Sequence, residues 1–213
     1  QLTSGTIMLG DRDITSWSTR ARREAGIAYI PEDRHRHGLL LEAPLWENRL
    51  LGHQTEPRSV KGPWIDRTAA RDDTRRIVEE YDVRTPGIDV LASSLSGGNQ
   101  QKLIVAREFS RPLRLLIADQ PTRGIDVGSI EFIHKRIVHE RDIGTAVLLV
   151  SSELDEVIGL ADRIAVMYRG RIIGLVGPDT PREEIGLLMA GITDGDSTDR
   201  GGTGDSGSED QER

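Results

Sequence analysis

The chain has 213 residues, 36% hydrophobic and 30% charged, enough to bury a core as one domain with an added lobe or as two small domains. It has no cysteine, which excludes disulfides and thiolate metal sites, and its longest apolar runs are far too short to cross a bilayer. The formal charge of −7 comes with no basic stripe, so nucleic acid is not an expected partner. Five of those seven net charges fall in residues 192–213, where seven acids meet two bases among Gly, Ser and Thr. That composition cannot bury enough surface to offset its chain entropy, and this stretch is expected to be a disordered acidic tail.

In chain order, Thr6-Ile7-Met8-Leu9 reads as a strand, turned at Gly10–Asp13 and resumed as an extended piece at Ile14. Ser16-Trp17-Ser18 opens a short polar helix to Glu24, and Gly26–Ile30 is a buried strand stopped by Pro31. Pro31–Gly38 is a dense charged loop, in which His35 and His37 read as surface residues because no third ligand stands at a metal-binding spacing. Leu45–Leu51 reads as a helix and Gly52–Pro63 as a loop. Asp66 caps a helix to about Tyr81, with Ala70, Ile77 and Tyr81 on its core side.

The most informative stretch is Leu95-Ser96-Gly97-Gly98-Asn99-Gln100-Gln101-Lys102. A hydroxyl residue, two glycines and a run of helix formers mark a helix start. Ser96 can cap free N–H groups, and Gly97 and Gly98 allow close approach of an anion to a backbone end that favours negative charge. The same residues also fit an ordinary helix cap. Leu115–Asp119 follows as an apolar strand ending in an acid, and Gln120–Asp126 as a turn before a helix with Ile130, Ile133 and Ile137 on one face. Thr145–Val150 is a second all-apolar strand, expected to lie parallel to the first, with Ser151-Ser152-Glu153 at its carboxyl end. A helix over Leu154–Leu160, a hairpin about Arg169-Gly170, and a last helix opened by a Thr180–Glu183 capping box complete the chain.

Taken together, the Leu95–Lys102 run, the strand ending in Asp119 and the Gly124-Ile125-Asp126 turn resemble the signature motif, Walker B strand and D-loop of an ABC transporter ATP-binding cassette, in that order. The resemblance covers roughly residues 2 to 191. It implies an α/β, P-loop NTPase-like fold: a parallel core sheet, an antiparallel β subdomain, and a helical signature subdomain over about 44–95. The Pro31-Glu32-Asp33-Arg34 form, Asp119–Gly124, Glu131–Arg136 and Ser151–Glu156 resemble the second cassette of tandem ATPases that energise nucleoside and simple-sugar importers. The implied ligands are ATP and Mg2+. The implied partners are a second cassette, transmembrane permease subunits and, indirectly, a solute-binding protein, at the cytoplasmic face of the membrane. Ser96, Gly97, Gly98 and Gln101 would face the nucleotide held by the partner cassette, with Asp126 in the D-loop and Glu32 at the Q-loop position. Asp119 would be the metal-side carboxylate.

Several positions depart from the family. The phosphate cradle G-x-x-x-x-G-K-[ST] does not occur, since none of Lys61, Lys102 and Lys135 follows a glycine. The simplest expectation is an amino-terminally truncated cassette, inactive by itself. Gln120 stands in place of the catalytic glutamate, and an amide orients water but accepts no proton at neutral pH. Ser152 replaces the switch histidine, and Glu32 replaces the Q-loop glutamine. The expected division of labour is a chain that supplies its signature to a partner's ATP site while its own Walker side is degenerate. The alternative is a non-catalytic, nucleotide-gated interaction module.

Overall fold

The computed structural model describes residues 3–56, 60–62 and 64–192, which divide into one compact unit up to Ser152 and another from Glu153. The acidic tail expected at the carboxyl end lies, from residue 193, outside the described residues.

The first unit begins with the small antiparallel pair β1 (Met8–Leu9) and β2 (Arg12–Asp13). Helix α1 (Thr19–Glu24) starts where Ser18 Oγ accepts the N–H of Ala21. Strand β3 (Ile27–Ile30) ends at Pro31. The charged segment after it is not an open loop: Arg34–Gly38 forms one π-helical turn, because the Asp33 carboxylate caps the N–H groups of His35 and Arg36 at 3.1 and 3.0 Å. Helix α2 (Leu45–Leu50) leads to a second correction. Within the segment read as a loop, β4 (Val60–Lys61) forms and pairs antiparallel with β5 (Trp64–Ile65) just after it, strands of two residues each and too short for alternation to register. Helix α3 (Arg67–Glu80) begins at its expected cap, Asp66, and buries Ala70, Thr74 and Ile77. Helix α4 (Gly97–Phe109), strand β6 (Leu115–Asp119), helix α5 (Val127–Asp142) and strand β7 (Ala146–Val150) complete the unit.

Strands β3, β6 and β7 make a parallel sheet with β6 in the middle, in the register Ile27↔Leu115, Ile30↔Ala118, Leu115↔Ala146 and Asp119↔Val150. One sheet face carries Ala28, Ile30, Leu116 and Ala118. These join Leu103, Ile104, Val105, Ala106 and Phe109 of α4 and Ile133 and Ile137 of α5 in one core. Strand β7 is less enclosed than an all-apolar run implies, because Leu148 and Val150 alternate out of that core and are exposed.

Helix α4 is buried along almost its whole length, polar residues included. Arg107 Nη1 donates to Gly38 O at 2.8 Å, and its Nε donates to Glu108 Oε1 at 3.0 Å. Glu108 also takes Arg23 of α1 at 3.1 Å. Burial raises the Glu108 pKa, but Arg107 and Arg23 outweigh it, and the carboxyl titrates below its ordinary value. Deleting one partner of such a buried pair costs about 3–5 kcal/mol, since the other charge is stranded.

The second unit contains α6 (Leu154–Leu160), the hairpin of β8 (Ile164–Tyr168) and β9 (Arg171–Val176), and α7 (Arg182–Met189). Its core gathers Ile164, Val166 and Ile185. The capping box expected at Thr180 does not form. Pro181 itself takes the cap position and no side chain caps α7, because the chain enters this helix one residue later than the box requires.

Two expectations for stability follow. Ile104 is fully buried between sheet and helices, and Ile104→Ala should destabilise the first unit by roughly 2–5 kcal/mol in urea unfolding, whereas an exposed change such as Glu131→Ala should cost under about 0.5 kcal/mol. His53 is buried, its Nδ1–H donates to Glu56 Oε1 at 2.6 Å, and its Nε2 has no partner. Burial, with Arg49 nearby, lowers its pKa against the opposing pull of Glu56 and Glu108. The unfolded chain therefore binds a proton near pH 6.5 that the folded chain refuses, and stability should fall as pH drops below about 6.5. The depressed Glu56 acts in the same direction at lower pH. Melting curves from about pH 7.5 to 5.5 should show a steeper loss for the wild type than for His53→Gln.

Candidate functional site

Because β3, β6 and β7 are parallel and in register, their carboxyl ends lie along one sheet edge, where open α/β sheets place ligands. Glu32 follows β3, Asp119 and Gln120 end β6, and Ser152 follows β7. The structure brings Gln120 and Ser152 together. Gln120 has φ 49°, a left-handed position that non-glycine residues seldom adopt. It is held there by its N–H donating to Val150 O at 2.8 Å. Its Oε1 accepts the Ser152 N–H at 3.3 Å and the Ser152 hydroxyl at 3.2 Å. The Tyr29 hydroxyl reaches Asp119 Oδ2 at 3.5 Å. Burial raises the tyrosine pKa, with a further push from the Asp119 charge, so the phenol stays a donor to that carboxylate. Glu32 is exposed and forms an ion pair with Arg123 in the turn after β6.

The second group of expected residues sits at the start of α4. Ser96 is the cap: its Oγ accepts the N–H of Asn99 at 3.4 Å and Asn99 Nδ2 at 2.9 Å, and its carbonyl accepts the N–H of Gln100 at 2.9 Å. The N–H groups of Gly97 and Gly98 precede these and have no acceptor within the helix. Ser96 is exposed and Gly97 half-buried, while Gly98 and most of the helix behind it are buried. A helix N-terminus that starts at an exposed cap and has amides without helical acceptors favours an anion.

The two glycines have different reasons. A Cβ on Gly98 would strike the Ser129 hydroxyl and Asp126 Oδ2, so this residue is small to let α4 and α5 meet. A Cβ on Gly97 would lie 2.9 Å from Arg34 Nη2 and 3.3 Å from Gly124 O. Asp126 caps α5, with Oδ1 accepting the Ser129 N–H at 3.0 Å and Oδ2 the Ser129 hydroxyl at 2.8 Å. These bonds, the hydroxyl first, hold its carboxyl below the usual range. Gln101 does not point to an open surface. It is 2% exposed, and its Nε2 donates to Pro121 O at 2.8 Å, fixing the turn to the helix.

Sequence reasoning passed over the residues that join these parts. Arg34 donates from Nη1 to Arg123 O at 2.9 Å, from Nη2 to Gly124 O at 3.4 Å and from Nε to Gln100 Oε1 at 3.4 Å. His35 Nε2 meets the same Gln100 oxygen at 2.9 Å. The one available signal was Asp33, an Asx residue just before the charged run, able to cap a turn.

Among the described residues no group of three or more His, Cys, Asp or Glu side chains could hold a metal ion. A magnesium ion at Asp119 would depend on phosphate oxygens and water for its other ligands.

A family model described as ABC transporter matches residues 1–123. The guanosine import ATP-binding protein NupO of Bacillus subtilis (strain 168) is 50% identical over 192 residues, covering 89% of this chain and 38% of that protein. The nucleoside import ATP-binding protein NupA of Lactococcus lactis subsp. cremoris (strain MG1363) is 49% identical over 189 residues, covering 88% of this chain and 37% of that protein. The chain thus spans less than two fifths of these curated relatives. Among solved structures, a dimeric post-hydrolysis state of the ATP-binding cassette MJ0796 bound to ADP and Pi superposes with a TM-score of 0.67. It is 16% identical, covers 84% of this chain and 75% of that chain, and speaks for the fold alone. With its parallel sheet, antiparallel hairpins and helical elements in the α/β, P-loop NTPase-like arrangement of ATP-binding cassettes, the chain belongs to the ABC transporter family.

Proposed function

We propose that this chain is an energy-coupling cassette of an importer for a nucleoside or simple sugar, and that it completes an ATP site held mainly by a partner cassette. The observation that carries this reading is the start of α4: a buried helix that begins at the exposed Ser96 and the half-buried Gly97, with the first-turn N–H groups of Gly97 and of the buried Gly98 without an acceptor in the helix. Its relatives are named for guanosine and nucleoside import, which supports the substrate class. When bound, ATP with Mg2+ supplies the free energy of phosphoryl transfer. This chain's own residues bind and orient. The α4 N–H groups would donate to a terminal phosphate held by the partner, Gln101 ties the turn at Pro121 to the helix, Asp126 caps α5, and Asp119 would be the carboxylate on the metal side of the chain's own site.

On that side Gln120 lacks a proton-accepting group, and its oxygen is already engaged by Ser152. We therefore read residues 1–191 as part of one cassette with a weak Walker side, and residues 44–95 as the helical subdomain that docks on permease subunits. The solute-binding protein acts through those subunits. Among the described residues no helix is long and apolar enough to cross a membrane; in this reading the cassette sits peripherally at the cytoplasmic face, against its permease subunits. The satisfied Gln120 oxygen also favours a second reading, a non-catalytic module gated by nucleotide.

In the assembled pair, Ser96→Arg should fill the α4 end and lower ATP turnover on the order of a hundredfold or more, as expected for losing a preorganised donor set. Unchanged turnover would contradict the reading. Gln120→Glu in the same assembly separates the two alternatives. A rise of roughly tenfold or more would mean that this side lacked only its base, while no change would favour the non-catalytic module.

A further inference from the structure

The π-helical turn Arg34–Gly38 lies between the two functional groups. Its Arg34 guanidinium reaches three acceptors on two elements: the carbonyls of Arg123 and Gly124 in the turn after β6, and the Gln100 side chain in the first turn of α4. Gln100 is itself fixed, since its Nε2 donates to Ala92 O at 3.1 Å and its Oε1 also takes His35. Arg34 is placed by the Asp33 cap of its own turn and by close packing of Gly38 on α4, where a Cβ would stand 2.7 Å from Ile104 Cδ1. All three acceptors are neutral, so the contact is a matter of shape and donor direction rather than of ion pairing. A planar fork of five N–H donors can make it, and the single point charge of a lysine cannot.

We propose that Arg34 is a positioning residue for ATP turnover: its guanidinium fork locks the 121–124 turn to the start of α4 and so holds the Gly97 and Gly98 amides where a partner-held phosphate meets them. This inference rests on the reading of the α4 end given above. Arg34 does its work from within this chain, through the carbonyls it ties down. Glu32 supports the same turn from the other side by pairing with Arg123. Misplacement of a reacting surface by about 1 Å can lower a rate roughly a hundredfold, and both Arg34 and Glu32 tie this loop to the turn.

The test uses the assembled ATPase with Arg34→Met, Arg34→Lys and Ser96→Arg measured side by side. Arg34→Met and Arg34→Lys should both lower kcat roughly ten- to a hundredfold while leaving KM for ATP within about threefold, since the partner's own nucleotide grip is untouched. Lysine restoring most of the turnover would overturn the proposal, because charge alone would then suffice. Full activity in both variants, with Ser96→Arg inactive, would overturn it while sparing the reading of the α4 end. Activity surviving in Ser96→Arg would remove that reading itself. Should Arg34→Met fail to fold, Arg34→Lys, which keeps the stem and the charge, decides alone: loss of kcat at unchanged KM upholds the fork, and retained kcat refutes it.

Discussion

Helix α4 has to satisfy two demands that pull against each other. Its body fills the space between the parallel sheet and α5, so that even Gln101, Lys102, Arg107 and Glu108 are buried. Its start must stay accessible at the exposed Ser96 and half-buried Gly97, although Gly98 is already buried against Ser129 and Asp126. The body secures the end. Apolar side chains such as Ile104 hold the helix axis, and Arg107 and Glu108 bind it to the loop at Gly38 and to α1. A charged pair inside a core is a costly way to fix a helix, since its desolvation offsets much of its attraction. It does define register, because Arg107 and Glu108 have few other partners to which they could slide.

At the open end, positions are fixed by polar contacts of high directionality. Ser96 caps the helix, Gln101 anchors Pro121, Asp126 caps α5 against Ser129, and Arg34 spans from the π-helical turn to both. Elements from three parts of the chain therefore pack against the two glycines. A helix end of this kind has low reorganisation cost when charge arrives, which is the condition for electrostatic stabilisation to be effective.

Much of this was legible from residue order alone, where burial follows a period. The caps Asp66 and Ser96, the strand Leu115–Asp119 and the face of α5 at Ile133 and Ile137 all lie where pattern places them. What was not legible depended on contacts distant in sequence. Arg34 looks like one charge in a run of charges, and its acceptors lie 66 to 90 residues away. Gln101 looks like a surface residue after two glycines until α4 is seen to be covered on that side. Gly98 seems to serve a ligand, but its missing side chain makes room for Ser129. The short β4–β5 pair and the uncapped α7 fail for a local reason, as two residues carry no period and a proline at the cap displaces the threonine before it.

The most direct measurement is amide hydrogen exchange at Gly97 and Gly98 in the assembled cassette pair, with ADP and with a non-hydrolysable ATP analogue. If these groups take hold of a triphosphate gripped by the neighbouring cassette, their exchange should slow by roughly tenfold or more with the analogue, while the amides of β7 stay unchanged. Equal exchange in both nucleotide states would mean that the open end of α4 meets no phosphate, and the account would fail at its centre.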